Sequence, residues 1–190
     1  LLFDENKYPN KEFTIFVFGG SQGSEYLTNF AVKLIKSFEE DKKNINLKFI
    51  IQCPIDIIKS VSNNLKKISF NVIIKDYFLN IEEVLKNTSI AISRAGAGSI
   101  NDLIKNKVPS ILIPLPSSKD NHQYFNASIM SNYGVAIILD QKSNEITKAK
   151  NYIYQIYENF NELNLINKKF DKIKVKNSNS LIYKLIFNEK

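Results

Sequence analysis

Ser93-Arg94-Ala95-Gly96-Ala97-Gly98-Ser99-Ile100-Asn101-Asp102 decides the fold of this chain. It closes the apolar run Ser89–Ser93 and leads into residues at helical spacing. It reads as the end of a buried strand, a small-residue turn and the start of a helix. Such a turn brings backbone N–H groups at a helix N-terminus close to a phosphate. A second turn of the same kind, Gly19-Gly20-Ser21-Gln22-Gly23, closes the β-rich run Phe13–Phe18. Two such turns point to a nucleotide diphosphate held at the carboxyl ends of parallel strands.

Outward from these turns, strands and helices alternate. Helical spacing over about 25–40 puts Leu27, Phe30, Ala31, Leu34, Ile35 and Phe38 on one face. Strands are predicted at 47–52, 70–74, 89–93, 110–113 and 135–139. A short helix opens at Pro54, carrying Ile57, Ile58 and Val61. Others follow at 80–86, about 98–106 and about 121–131. Tyr152, Ile153, Ile156, Tyr157 and Phe160 keep helical spacing in the tail. The alternation predicts an α/β fold, a doubly wound parallel sheet of Rossmann-like type. It is one domain over 1–190, with a core at about 13–141 and a helical tail at about 144–188.

The bulk composition narrows the function. The chain has 190 residues, 44% of them apolar, enough for one α/β core. Cys53 is the only cysteine, which excludes an internal disulfide and fits a reducing compartment. No apolar run approaches the roughly 20 residues of a spanning helix, and no signal peptide is evident. Leu1-Leu2-Phe3, without an initiator Met, reads as the middle of a longer chain. The net charge is +7, yet Arg94 is the only arginine and the lysines are scattered. That predicts a solvated surface and no nucleic-acid partner, with weak attraction to an anionic membrane face as the alternative.

Three segments carry chemistry. Gly19-Gly20-Ser21-Gln22-Gly23 lacks both the Gly-Lys-Ser/Thr of a P-loop and the spacing of a dinucleotide fingerprint. It is either a tight turn or a loop that approaches a ligand without Cβ clashes, with Ser21 supplying a hydroxyl. In the second segment, Gly96, Ala97 and Gly98 keep the ligand side bare and Ser99 is expected to cap the helix. Asp102, one turn in, is either a helix-start acid or a group accepting both hydroxyls of a ribose. The third segment is Asp120-Asn121-His122-Gln123-Tyr124-Phe125-Asn126. His122 is the only histidine, which excludes any site needing two. Gln123 and Asn126 share a helix face, and their amides suit sugar hydroxyls. Metal-ligand spacing, an Asp-x-Asp pair and a Gly-x-Ser-x-Gly elbow are all absent from the sequence.

Together, in this order, the three segments resemble the carboxyl-terminal half of the family 28 glycosyltransferases of the GT-B fold that form lipid II. The resemblance covers about 13–141. It rests on Gly19–Gly23, on Ser93–Ala97, and on the Pro114–Asn126 stretch with its Asp-x-x-Gln-x-x-Asn. It implies a UDP-N-acetylglucosamine site with no cofactor and no metal. Ser21 would lie near the diphosphate, and the backbone at Phe78 near the uracil. Ala97, Gly98, Ser99 and Ile100 would hold sugar and diphosphate, and Asp102 the ribose. His122 and Gln123 would bind the N-acetylglucosamine hydroxyls, with Asn126 close by. Asp102 stands where the family usually has Glu, one methylene longer.

The resemblance also implies that the acceptor domain, the catalytic base and the recognition of lipid I belong to an amino-terminal half not represented in this chain. No residue here is assigned the catalytic role. The expected whole is an inverting transferase on the cytoplasmic face of the cell membrane. The alternatives are a stand-alone donor subunit with a separate acceptor partner, and a non-catalytic nucleotide-binding domain.

Overall fold

The structure is a computed structural model that describes residues 12–20, 23–143 and 145–173. Six strands form one sheet: β1 Phe13–Phe18, β2 Leu47–Gln52, β3 Asn71–Lys75, β4 Ile90–Ser93, β5 Ser110–Leu112 and β6 Ala136–Ile138. Their order is β3-β2-β1-β4-β5-β6, and every neighbouring pair is parallel. The helices are α1 Glu25–Glu40, α2 Ile58–Asn64, α3 Ile81–Lys86, α4 Ala97–Lys105, α5 His122–Asn132, α6 Ile146–Glu158 and α7 Phe160–Phe170.

The strand sequences explain the sheet. In β1 all six residues are buried, as a central parallel strand covered on both faces requires. Ile15 lies between Phe49 of β2 and Ile90 of β4 in register. The expected face of α1 is buried in full, and its Phe38 packs on Phe49 and Tyr154. Asp41, just past α1, accepts from Lys150 Nζ and Tyr154 Oη, both at 2.9 Å, and so pins α6 to α1. Those two donors hold the Asp41 carboxyl below its usual range, Lys150 contributing most.

The doubly wound parallel sheet expected from the alternation is present, with most element ends displaced by a residue or two; the helix expected to open at Pro54 begins as a 3-10 turn, Ile55–Ile57, which runs into α2. One expectation fails. Ser99 does not cap α4; the N-cap is Gly96, with extended backbone, and Ser99 lies inside the first turn. Three small residues let the chain enter the helix earlier than the serine suggested. The tail is helical through α6 and α7, and the part of it expected over 174–188 lies outside the described residues.

Strand order places the site. From β1 the chain crosses to β2 on one side, and from β4 it crosses to β5 on the other. The carboxyl ends of β1 and β4 therefore flank the point where the winding reverses, the place in such sheets where a crevice opens.

Candidate functional site

Both glycine-rich turns sit at that crevice. A cleft of about 390 Å³ is lined by Gly19, Gly20, Gly23, Ser24, Arg94, Gly96, Ser99, Leu115 and Gln123. The glycines divide the work. A Cβ on Gly19 would lie 2.5 Å from Ser24 Cβ, so this residue lets the loop fold onto the start of α1. Gly20 and Gly23 take left-handed backbone, φ +91° and +73°, which disfavours side chains. Among the described residues a Cβ on Gly96 or Gly98 meets nothing within 4 Å, so these two leave open space at the mouth of α4. Ser21 lies outside the described residues, as does Gln22.

Among the described residues no side chain caps α4, and the Ile100 amide donates to the Gly96 carbonyl at 2.9 Å. The amides of Ala97, Gly98 and Ser99 precede that bond and form the positive end of the helix dipole. Ala97 and Gly98 are exposed, and Ile100 is buried beneath them.

Arg94 closes the floor. It is only 8% exposed. Its Nη1 donates to the carbonyls of Ile113 (3.0 Å) and Pro114 (3.5 Å), and its Nη2 to Ser24 Oγ at 3.5 Å. The guanidinium lies 5.2 Å from the centre of the Tyr26 ring. One side chain thus joins the ends of β4 and β5 to the start of α1, and adds a buried positive charge beneath the cleft.

Gln123 and Asn126 do share a face of α5, and that face turns onto Ala95. Gln123 Oε1 accepts from the amides of Ala95 (3.3 Å) and Leu115 (3.0 Å). Asn126 Nδ2 donates to the Ala95 carbonyl at 3.0 Å. Gln123 lines the cleft while its oxygen is committed to backbone, which leaves its NH2 as the group to offer a ligand. Asn126 acts on the turn rather than on the cleft.

Asp102 is half-buried on α4, and burial raises its carboxyl above the usual range, with Glu82 adding to the effect and Lys105 opposing it. Phe78 follows β3, and its ring packs edge-on against Phe16 at 5.4 Å. The ring faces inward, while Tyr77 and Leu79 beside it are exposed. His122 begins α5 on the surface, 3.7 Å from Asp120 Oδ2. It follows Asp120 and Asn121, both in left-handed backbone, φ 48° and 54°. The cleft therefore brings together Gly19, Gly20, Gly23, Gly96, Ser99 and Gln123; Phe78, Ala97, Gly98, Ile100, Asp102, His122 and Asn126 stand outside its lining, Ala97 and Gly98 being exposed beside it at the start of α4.

Sequence reasoning missed Ser24, Arg94 and Leu115 as parts of the site. Arg94 had a signal, as the sole arginine next to a glycine-rich turn. Among the described residues the cleft lining is glycine, serine, leucine, one arginine and one glutamine, with no carboxylate and no imidazole. No group of three His, Cys, Asp or Glu gathers among the described residues, and no described helix is long and apolar enough to cross a membrane.

The sequence profile of the glycosyltransferase family 28 C-terminal domain matches residues 14–182. A UDP-N-acetylglucosamine--N-acetylmuramyl-(pentapeptide) pyrophosphoryl-undecaprenol N-acetylglucosamine transferase of Rickettsia bellii is 32% identical over 150 residues, covering 79% of this chain and 42% of the relative. The protein of the same name from Campylobacter jejuni is 32% identical over 190 residues, covering 98% and 52% respectively. The chain thus spans about half the length of the curated relatives it matches. The crystal structure of Acinetobacter baumannii MurG shares the fold with a TM-score of 0.81, at 19% identity, over 98% of this chain and 55% of that one. A UDP-GlcNAc 2-epimerase from Neisseria meningitidis, bound to UDP-GlcNAc, shares it with a TM-score of 0.56 at 11% identity, over 95% of this chain and 45% of that one.

Proposed function

The chain belongs to the glycosyltransferase family 28 C-terminal domains, and from that premise we propose that it is the donor-binding half of an inverting transferase. The whole enzyme moves N-acetylglucosamine from UDP-N-acetylglucosamine to lipid I and yields lipid II. One observation carries this reading. The uncapped first turn of α4 opens at the β1/β4 reversal, with no Cβ at Gly96 or Gly98 to bar a diphosphate.

The residues then divide the donor. The amides of Ala97, Gly98 and Ser99 receive the diphosphate, to which the family resemblance also assigns Ser21. Asp102 accepts the ribose hydroxyls. The backbone at Phe78 meets the uracil, because the ring is turned under against Phe16. Gln123 donates its NH2 to the sugar, and the family resemblance assigns His122 to the same sugar. As the glycosidic bond breaks, negative charge grows on the leaving UDP. The α4 dipole and the buried Arg94 favour that charge without a metal ion. The acceptor site and the base that deprotonates the acceptor hydroxyl belong to the amino-terminal half. The enzyme works at the cytoplasmic face of the membrane, where the lysine excess favours anionic lipid.

A thermal-shift series tests the assignment. UDP-N-acetylglucosamine should raise the melting midpoint more than UDP-glucose, and a chelator should not change the shift. Equal shifts from ADP and UDP would contradict it.

A further inference from the structure

Arg94 is the one charged side chain in the described lining of the donor cleft, and it is held unevenly. Its bond to the Ile113 carbonyl is 3.0 Å, while those to the Pro114 carbonyl and Ser24 Oγ are both 3.5 Å, the outer limit for such contacts. The ring of Tyr26 supplies the remaining hold. The guanidinium carbon lies 5.2 Å from the ring centre, within the range of a cation–π contact. Such contacts strengthen where water is excluded, and Arg94 is buried. Burial lowers the Arg94 pKa from its ordinary value, and Tyr26 opposes that shift.

The ring is itself fixed. Tyr26 is the second residue of α1, just past the N-cap Ser24 that Arg94 also touches. One turn further on, Phe30 stacks against it at 6.3 Å and 26°. At its far end the hydroxyl donates to the Gln141 carbonyl, between β6 and α6, at 3.1 Å. A half-buried ring tied at its tip and stacked on its side keeps one orientation. An arginine side chain has many rotamers, and ordering it costs entropy that a prebuilt neighbour must offset. The fixed ring does that for the one cation in the cleft.

We propose that Tyr26 is a positioning residue for the diphosphate: its ring holds the Arg94 guanidinium beneath the cleft, and the Gln141 carbonyl holds the ring. The proposal rests on the reading of the cleft as a UDP-sugar site. Tyr26 itself touches no substrate. It acts through Arg94, on the charge of the bound diphosphate and on the charge that grows as UDP departs. Base and ribose lie outside its influence, so its effect belongs to the phosphates alone.

Titration of the 190-residue chain with UDP and with uridine separates the two parts. The native chain should bind UDP more tightly than uridine. Tyr26→Leu should weaken UDP about tenfold and leave uridine unchanged. Tyr26→Phe keeps the ring and gives up only the bond to Gln141, so it should restore most of the UDP affinity. Should the leucine variant fail to fold, phenylalanines of increasing ring fluorination at position 26 keep the shape and drain the ring of negative charge. UDP affinity should then fall stepwise while uridine affinity stays level. A Tyr26→Leu chain that keeps the native ratio of UDP to uridine affinity would overturn the proposal. So would a phenylalanine that rescues nothing, or a fluorinated series that binds UDP equally. A native chain that binds UDP no more tightly than uridine would overturn the UDP-site reading itself, and the proposal with it.

Discussion

The side-chain oxygen of Gln123 accepts a hydrogen bond from the Ala95 amide at 3.3 Å. The same oxygen takes the Leu115 amide at 3.0 Å, so one residue of α5 holds the turns after β4 and β5 in fixed relation. That tie, with the glycines, shapes the cleft.

Gln123→Ala should therefore act on the fold as well as on binding. Two backbone donors lose their acceptor, at a cost of about 1–3 kcal/mol each where they stay dry. Gln123→Glu keeps the acceptor and loses the NH2. Denaturant titration should show the alanine variant destabilised and the glutamate variant near wild type. Both should lose the preference for UDP-N-acetylglucosamine over UDP-glucose.

Arg94→Lys should not be conservative. A lysine cannot reach the Ile113 and Pro114 carbonyls and Ser24 Oγ from one planar group. Losing hydrogen bonds of this charged type costs about 1.5–3 kcal/mol. A lowered melting midpoint, with weaker UDP binding, is the expected result.

Asp102 should show a trade between stability and binding. Burial raises its folded-state pKa, so the folded chain holds this proton more tightly than the unfolded chain does. Its contribution makes the free protein more stable as pH falls through the raised value, until the unfolded carboxyl also protonates. On the proposed ribose role, donor binding should run the other way, because accepting two hydroxyls needs the carboxylate. Asp102→Asn should leave the fold as stable or slightly more so, flatten the acid side of the binding profile, and weaken UDP by about 1.5–3 kcal/mol. Calorimetry across pH measures both effects.

Gly98→Val should fold and fail to bind. A Cβ at Gly98 meets nothing within 4 Å among the described residues, so stability should stay within about 0.5 kcal/mol of the parent. The branched side chain would occupy the space above the α4 amides. Unchanged UDP affinity in this variant would remove the phosphate from that turn.

Local chemistry made much of this legible in the sequence. Gly19–Gly23 and Gly96–Gly98 announce themselves because backbone turns depend on adjacent residues. The apolar runs of β1 and β4 disclose their burial in the same way. Gln123 was different. Amides suit sugars and backbone equally, and its partner Ala95 lies 28 residues away, a pairing only the folded sheet creates. Arg94 could be noticed but not placed, because its acceptors are carbonyls at the end of β5, and carbonyls leave no mark in a sequence. Ser99 misled because serine favours N-caps, while three small residues before it moved the helix start upstream.

The most direct test of the donor-site assignment is calorimetric titration of the 190-residue chain with UDP, UDP-N-acetylglucosamine and ADP in metal-free buffer. Binding of both uridine ligands, tighter for the one carrying the sugar and absent for ADP, is the predicted result. Equal binding of ADP and UDP, or binding that appears only when a divalent metal is added, would contradict it.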